Sequence, residues 1–283
     1  MTEHNSIEDN ITSGDELLET HEPVTRDIFA RVVAILTFIL ASGNIATSYF
    51  HARQVNRLRA TALFHEAKDD MAGTKGGVYI MSGMPATKVE RAKLEEARRK
   101  IEEAHTLNPH DPWGPTLMGV YYAKLRNHQQ AKQWLAKAPD FARAHTAMAN
   151  LFREEGKWAE AAKEYELART LDPTLSVPYF GLAICLHHSG KLRGAIQMLE
   201  KCVDADPTST PCYLEMGNMY VRLKNDTNAL TCYERCLEID AESRPCYQNA
   251  ITVSRRLGNR QEAETLYRRA QVHGIALEPL SPP

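Results

Sequence analysis

The sequence predicts an all-α protein, an α-solenoid of paired helices preceded by one transmembrane helix. Three observations carry that expectation. Residues 112–275 repeat with a period of 34; residues 28–50 are mostly apolar and carry only one charge, Arg31; and the cysteine-bearing stretch CVDADPTSTPCY (202–213) lies directly over CLEIDAESRPCY (236–247). The balance of 34 Lys and Arg against 36 Asp and Glu argues against a nucleic-acid binder driven by bulk positive charge.

In chain order, residues 1–27 hold eight acids and one base, Arg26, with few large apolar side chains. Such a composition predicts a disordered acidic tail. Residues 28–50 (IFARVVAILTFILASGNIATSYF) follow as the expected transmembrane helix. The uncharged run after Arg31 would extend about 28 Å as a helix, close to a bilayer core, with Tyr49 and Phe50 at one interface. A cleaved signal peptide fits less well, because its leader would be short and basic. Residues 51–111 are expected to supply a juxtamembrane helix (51–70), a Gly-rich insertion (71–85) and a degenerate first repeat (86–109). In the favoured reading 51–70 is the missing first helix of that repeat, continuous with the membrane helix. The solenoid proper spans 112–275, and 276–283 form a short tail. The expected location is a single-pass protein of a bacterial inner membrane. Its sidedness stays open: Arg53, Arg57, Arg59 and Lys68 favour a cytoplasmic solenoid, while RDIFAR before the apolar run resembles a signal-anchor and tilts the reading outward.

The repeat is read from four units, 142–175, 176–209, 210–243 and 244–277. Position 20 is Ala161, Ala195, Ala229 and Ala263; position 27 is Ala168, Cys202, Cys236 and Ala270; position 24 is Tyr165, Leu199, Tyr233 and Tyr267. Position 8 is small in the first three (Ala149, Ala183, Gly217), and position 15 offers Gly156, Gly190 and Gly258. Small residues at 8, 20 and 27 let two helices approach closely, Gly permits the turn between them, and Pro173 and Pro207 stop the second helix. This pattern resembles the tetratricopeptide repeat (TPR) family, whose period is also 34. The unit at 112–141 keeps Gly119, Tyr122, Ala131 and Ala138 but is about four residues short.

The periodicity also explains the cysteines. Cys202 and Cys236 stand at the small position 27, and Cys212 and Cys246 at position 3 of the next helix. Two readings stay open: buried thiols that pack as small hydrophobes, or equivalent disulfides Cys202–Cys212 and Cys236–Cys246, which require an oxidising compartment. A zinc site lacks a second ligand pair at the needed spacing.

The resemblance implies a concave surface lined by the first helices. Here that surface would comprise Lys124, Arg143, Asn150, Arg153, Phe180, Ile184, His187, His188, Asn218, Arg222, Thr252, Arg255 and Arg256. Basic groups and amides suit a peptide carrying acids. The carboxylate clamp of chaperone-binding relatives is not reproduced, since Thr146 and Glu215 stand where it wants bases. No nucleotide-binding, zinc-protease, hydrolase or haem-attachment motif is present, so no enzyme, cofactor or metal is expected. The expected function is a membrane-anchored scaffold that binds protein partners and supports assembly of a membrane-associated complex. The alternatives are a permanent structural subunit, with Trp134 and Trp158 exposed for burial, and an accessory module of a secretion, pilus or cytochrome-maturation system.

Overall fold

The computed structural model describes residues 23–72 and 88–277. Among them are twelve helices: α1 Pro23–Ala72, α2 Lys88–Leu107, α3 Trp113–Lys124, α4 His128–Leu135, α5 Ala142–Glu154, α6 Trp158–Leu171, α7 Ser176–His188, α8 Leu192–Ala205, α9 Thr210–Arg222, α10 Asp226–Ile239, α11 Arg244–Arg256 and α12 Arg260–Val272. The chain divides into two compact units, and the boundary falls within α1 between Arg59 and Ala60. The acidic tail expected at 1–27 lies outside the described residues up to 22, as does the Gly-rich insertion from 73 on.

In the first unit, the described residues belong to α1. Among the described residues no helix is long and apolar enough to cross a membrane. The transmembrane helix expected over 28–50 therefore finds no support here. The physical reason is local. The dense apolar run from Val32 to Ala41 is about 15 Å of helix, half a bilayer core, before Ser42, Gly43 and Asn44 interrupt it.

The second unit begins with a helical seam. Ala60, Phe64, Ala67 and Met71 are buried at 4-3-4 spacing, and Leu94, Ala97, Ile101 and Ala104 at 3-4-3. Such spacings place each set on one side of its helix, and both sets enter one hydrophobic cluster. Lys100 spans the seam to Asp70 at 2.7 Å.

From α3 onward the helices pair in sequence, and each second helix packs on the first helix of the next pair. First helices also touch one another, α3 with α5, α5 with α7 and α9 with α11, so they form one layer of the solenoid. The turn inside each pair needs a left-handed residue. Gly156, Gly190 and Gly258 take it at φ of 73°, 73° and 79°, while Arg126 and Lys224 adopt it at 60° and 57°. The turn between pairs repeats as well. Asp172 accepts from the Thr174 amide, Asp206 from the Thr208 amide and Asp240 from the Glu242 amide, each at 3.0 Å. These Asx turns satisfy backbone donors just where Pro173 and Pro207 forbid further helix. The short unit shows its deletion in α4, which has 8 residues where α6 has 14.

Cys202 is joined to Cys212 and Cys236 to Cys246, with a Cα–Cα separation of 6.3 Å in both pairs. Each bond links a second helix to the next first helix, and all four cysteines are buried. Cys185 and Cys232 remain as buried thiols. Trp134 and Trp158, the residues singled out for a buried subunit interface, are half-buried. Lys137 lies over the Trp134 ring at 3.5 Å and His188 stacks on Trp158 at 3.6 Å, so neither offers a bare aromatic face.

Candidate partner-binding groove

The first helices present polar groups that the second helices hold in place. In α5, Asn150 is buried and its carbonyl oxygen accepts from the Tyr165 hydroxyl of α6 at 2.5 Å. Two repeats on, Asn218 of α9 accepts from Tyr233 of α10 at 2.8 Å and from the Asn249 amide of α11 at 3.0 Å. Burial pushes the Tyr165 and Tyr233 hydroxyls up to about 12, so both stay protonated as donors. Arg153 reaches back to the Tyr165 side chain, which leaves the hydroxyl proton to Asn150. With its carbonyl oxygen occupied, each Asn keeps its NH₂ end for the groove. At Asn218 one of those hydrogens leans toward Glu215 at 3.3 Å.

Two recesses result. The C-terminal one, about 490 Å³, brings together five of the sequence-predicted residues, His187, Asn218, Arg222, Thr252 and Arg256, with Glu215, Tyr233 and Asn249. The N-terminal one, about 500 Å³, takes Arg143 and Asn150 and adds Trp113, Thr116, Val120, Thr146 and Val177. Arg143 lies over the Trp113 ring at 5.3 Å, which fixes its guanidinium at the rim.

The other predicted residues are placed differently. Lys124 is half-buried and lines neither recess; burial holds its ammonium below the usual range, with Glu90 opposing. Phe180 packs against the core around α7, α8 and α9, and Ile184 beside it is half-buried. His188 is committed to Trp158. Arg255 is exposed and lines neither recess. Sequence reasoning passed over Trp113, Asn249 and the tyrosine–asparagine pairs. The last were visible in principle, because Asn150 and Tyr165 stand fifteen residues apart, as do Asn218 and Tyr233.

The electrostatics of the C-terminal recess follow from these contacts. Arg256 is tied to Asp226 at 2.7 Å. Arg222 is exposed and makes no ion pair with another described residue. Burial and the Arg222 charge hold the His187 imidazole below its ordinary value, with Glu215 opposing. The recess therefore offers an uncommitted guanidinium, a neutral imidazole and amide donors. Among the described residues no cluster of His, Cys, Asp and Glu is placed to hold a metal ion.

Comparison with known proteins agrees with this architecture. A family model described as tetratricopeptide repeat matches residues 178–209 and 210–243. No curated protein matches the sequence. Among solved structures the chain is similar to pilF of Pseudomonas aeruginosa, with a TM-score of 0.59 and 15% identity over 77% of this chain and 92% of that one. It is also similar to the MamA protein, with a TM-score of 0.51 and 18% identity over 58% of this chain and 96% of that one. The hetero-tetramer Cut9–Hcn1 of the APC/C matches at a TM-score of 0.53 and 14% identity, over 65% of this chain and 38% of that one. At these identities the likeness is one of fold. Residues 178–243 thus match two tetratricopeptide repeats, and the helices from α3 onward form an all-α solenoid of the same architecture.

Proposed function

We propose that the chain is a membrane-associated interaction scaffold that takes a peptide segment of a partner protein on the layer of first helices. One observation carries the reading. Asn150 and Asn218 are held from behind by buried tyrosines that occupy their carbonyl oxygens, so that what each can offer a ligand in its recess is an amide donor. The uncommitted Arg222 and Arg255 favour a partner with acidic groups. Membrane association draws support from the exposed apolar side chains of α1, among them Ile35, Phe38 and Ile45. The two buried disulfides support an oxidising, extracytoplasmic setting for the solenoid. Assembly of a membrane complex is the role these features suit best.

The test is Arg222→Glu combined with Arg255→Glu. Both side chains are exposed, so circular dichroism should not change. Cross-linked partners recovered with the wild type from solubilised membranes should be lost with the variant. Undiminished recovery would count against the groove.

A further inference from the structure

The part of α1 within the first unit presents bare apolar side chains. Val33, Ile35, Phe38, Ile45, Tyr49 and Phe50 are exposed, Phe38 by 74% and Ile45 by 70%. They do not share a face. At about 100° per residue Val33 and Ile35 lie about 160° apart around the axis, and Phe38 and Phe50 about 120° apart. A protein groove covers one side of a helix, whereas lipid surrounds all of it, and a helix apolar all round calls for such an environment.

Beyond Phe50 the chemistry changes. Arg53, Arg57 and Arg59 are exposed, and Arg53 and Arg57 stand one turn apart on the same side. They follow Phe50 by about 4 to 14 Å of helix, and their long stems extend that reach. Between Asp27 and Glu66 the sequence holds no Asp or Glu, in a chain that has 36 of them. Nothing in this stretch repels a negative surface.

We propose that this helix enters an anionic phospholipid membrane, with its apolar side chains in the acyl layer and Arg53, Arg57 and Arg59 against headgroup phosphates. The inference rests on the membrane reading above and adds the lipid class. Three cations near a negative surface strengthen binding by roughly 100-fold at low salt, and the gain fades as salt screens it.

Flotation of the full chain tests this, with phosphatidylcholine vesicles on one arm and phosphatidylcholine–phosphatidylglycerol vesicles on the other. The expected result is a preference for the anionic vesicles of roughly 100-fold. That preference should shrink in high salt and vanish in Arg53→Gln/Arg57→Gln/Arg59→Gln, while Phe38→Asp with Ile45→Asp should lower flotation on both arms. Equal flotation on both arms by the wild type would overturn the anionic headgroup and leave the membrane reading standing. No flotation on either arm, with helical content intact, would overturn both. Self-association that excludes vesicles and that Phe38→Asp abolishes would assign the helix to a second copy of the chain and overturn the proposal.

Discussion

Gly217 connects the packing of the solenoid to its groove, and Gly217→Ala tests that connection. A Cβ built at Gly217 would meet the Tyr233 ring at 2.4, 2.8 and 2.9 Å. Ordinary contact begins near 3.4 Å, so the ring would have to retreat by about 1 Å. It has little room, because Tyr233 is 1% exposed and its hydroxyl is bonded to Asn218. Overpacking of this kind costs about 1–3 kcal/mol, and loss of the hydroxyl bond about 1 kcal/mol more. Alanine returns about 1 kcal/mol of helix propensity in the interior of α9. The expected net destabilisation is about 2 kcal/mol, read as a lower urea midpoint by circular dichroism at 222 nm. The sequence supplies its own control. The neighbouring repeat carries Ala183 and Leu199 at the same two positions and the first repeat Ala149 and Tyr165, so Gly217→Ala with Tyr233→Leu imports a pair that already packs, while the single variant tests whether Tyr233 sits closer to its partner helix than Tyr165 does. The double variant should be more stable than the sum of the singles predicts by at least about 1 kcal/mol. A Gly217→Ala protein as stable as the wild type, or single effects that simply add, would refute the close approach.

Three further outcomes follow from the same structure. Lys224→Gly should stabilise by about 1 kcal/mol, since Lys224 holds a left-handed φ of 57° that Gly190 and Gly258 occupy without strain in equivalent turns; an unchanged melting temperature would argue against that turn. Burial raises the Glu155 carboxyl, but hydrogen bonds from Lys132, Lys157 and His128 outweigh it and hold the group at about 2. Its folded value lies below its unfolded one, so the stabilisation, on the order of 2 kcal/mol, is complete above about pH 4.5 and fades as pH falls toward 2. The gap in urea midpoint between wild type and Glu155→Gln should therefore narrow on acidification, and a constant gap would contradict the linkage. Each disulfide closes a short loop of sequence separation 10 and should contribute about 3 kcal/mol, lost only after reduction under denaturing conditions because the sulfurs are buried; native-state reduction as fast as that of an exposed disulfide would count against the burial.

The architecture was legible because a solenoid writes its packing in small residues. Ala161, Ala195, Ala229 and Ala263 mark the same close approach four times, and all four are buried to 2% or less. A single alanine would have meant nothing; the recurrence carries the information. Turn chemistry was legible where glycine supplies it and hidden at Arg126 and Lys224, where an ordinary residue takes the same backbone angle under local constraint. The segment at 28–50 was harder, because length and apolarity are averages, and the cluster at Ser42, Gly43 and Asn44 falls in the middle of the stretch they average over.

The groove shows where template reasoning stops. Fixed positions identify a face of a helix, but what that face offers depends on the residue beneath it in the partner helix. Position 9 runs Asn150, Ile184, Asn218, Thr252, while position 24 below it runs Tyr165, Leu199, Tyr233, Tyr267. Polar pairs with a hydroxyl to amide bond thus flank an apolar pair, and the face cannot be one continuous basic strip. An amide in each of the two recesses, with Ile184 between them in repeat order, follows from those eight residues taken as four pairs, as does the peptide segment it suits. Such a segment carries acceptors at two places along its length and an apolar side chain between them. With first helices about 9 Å apart, the two acceptors would stand about 18 Å apart, five or six residues of extended chain.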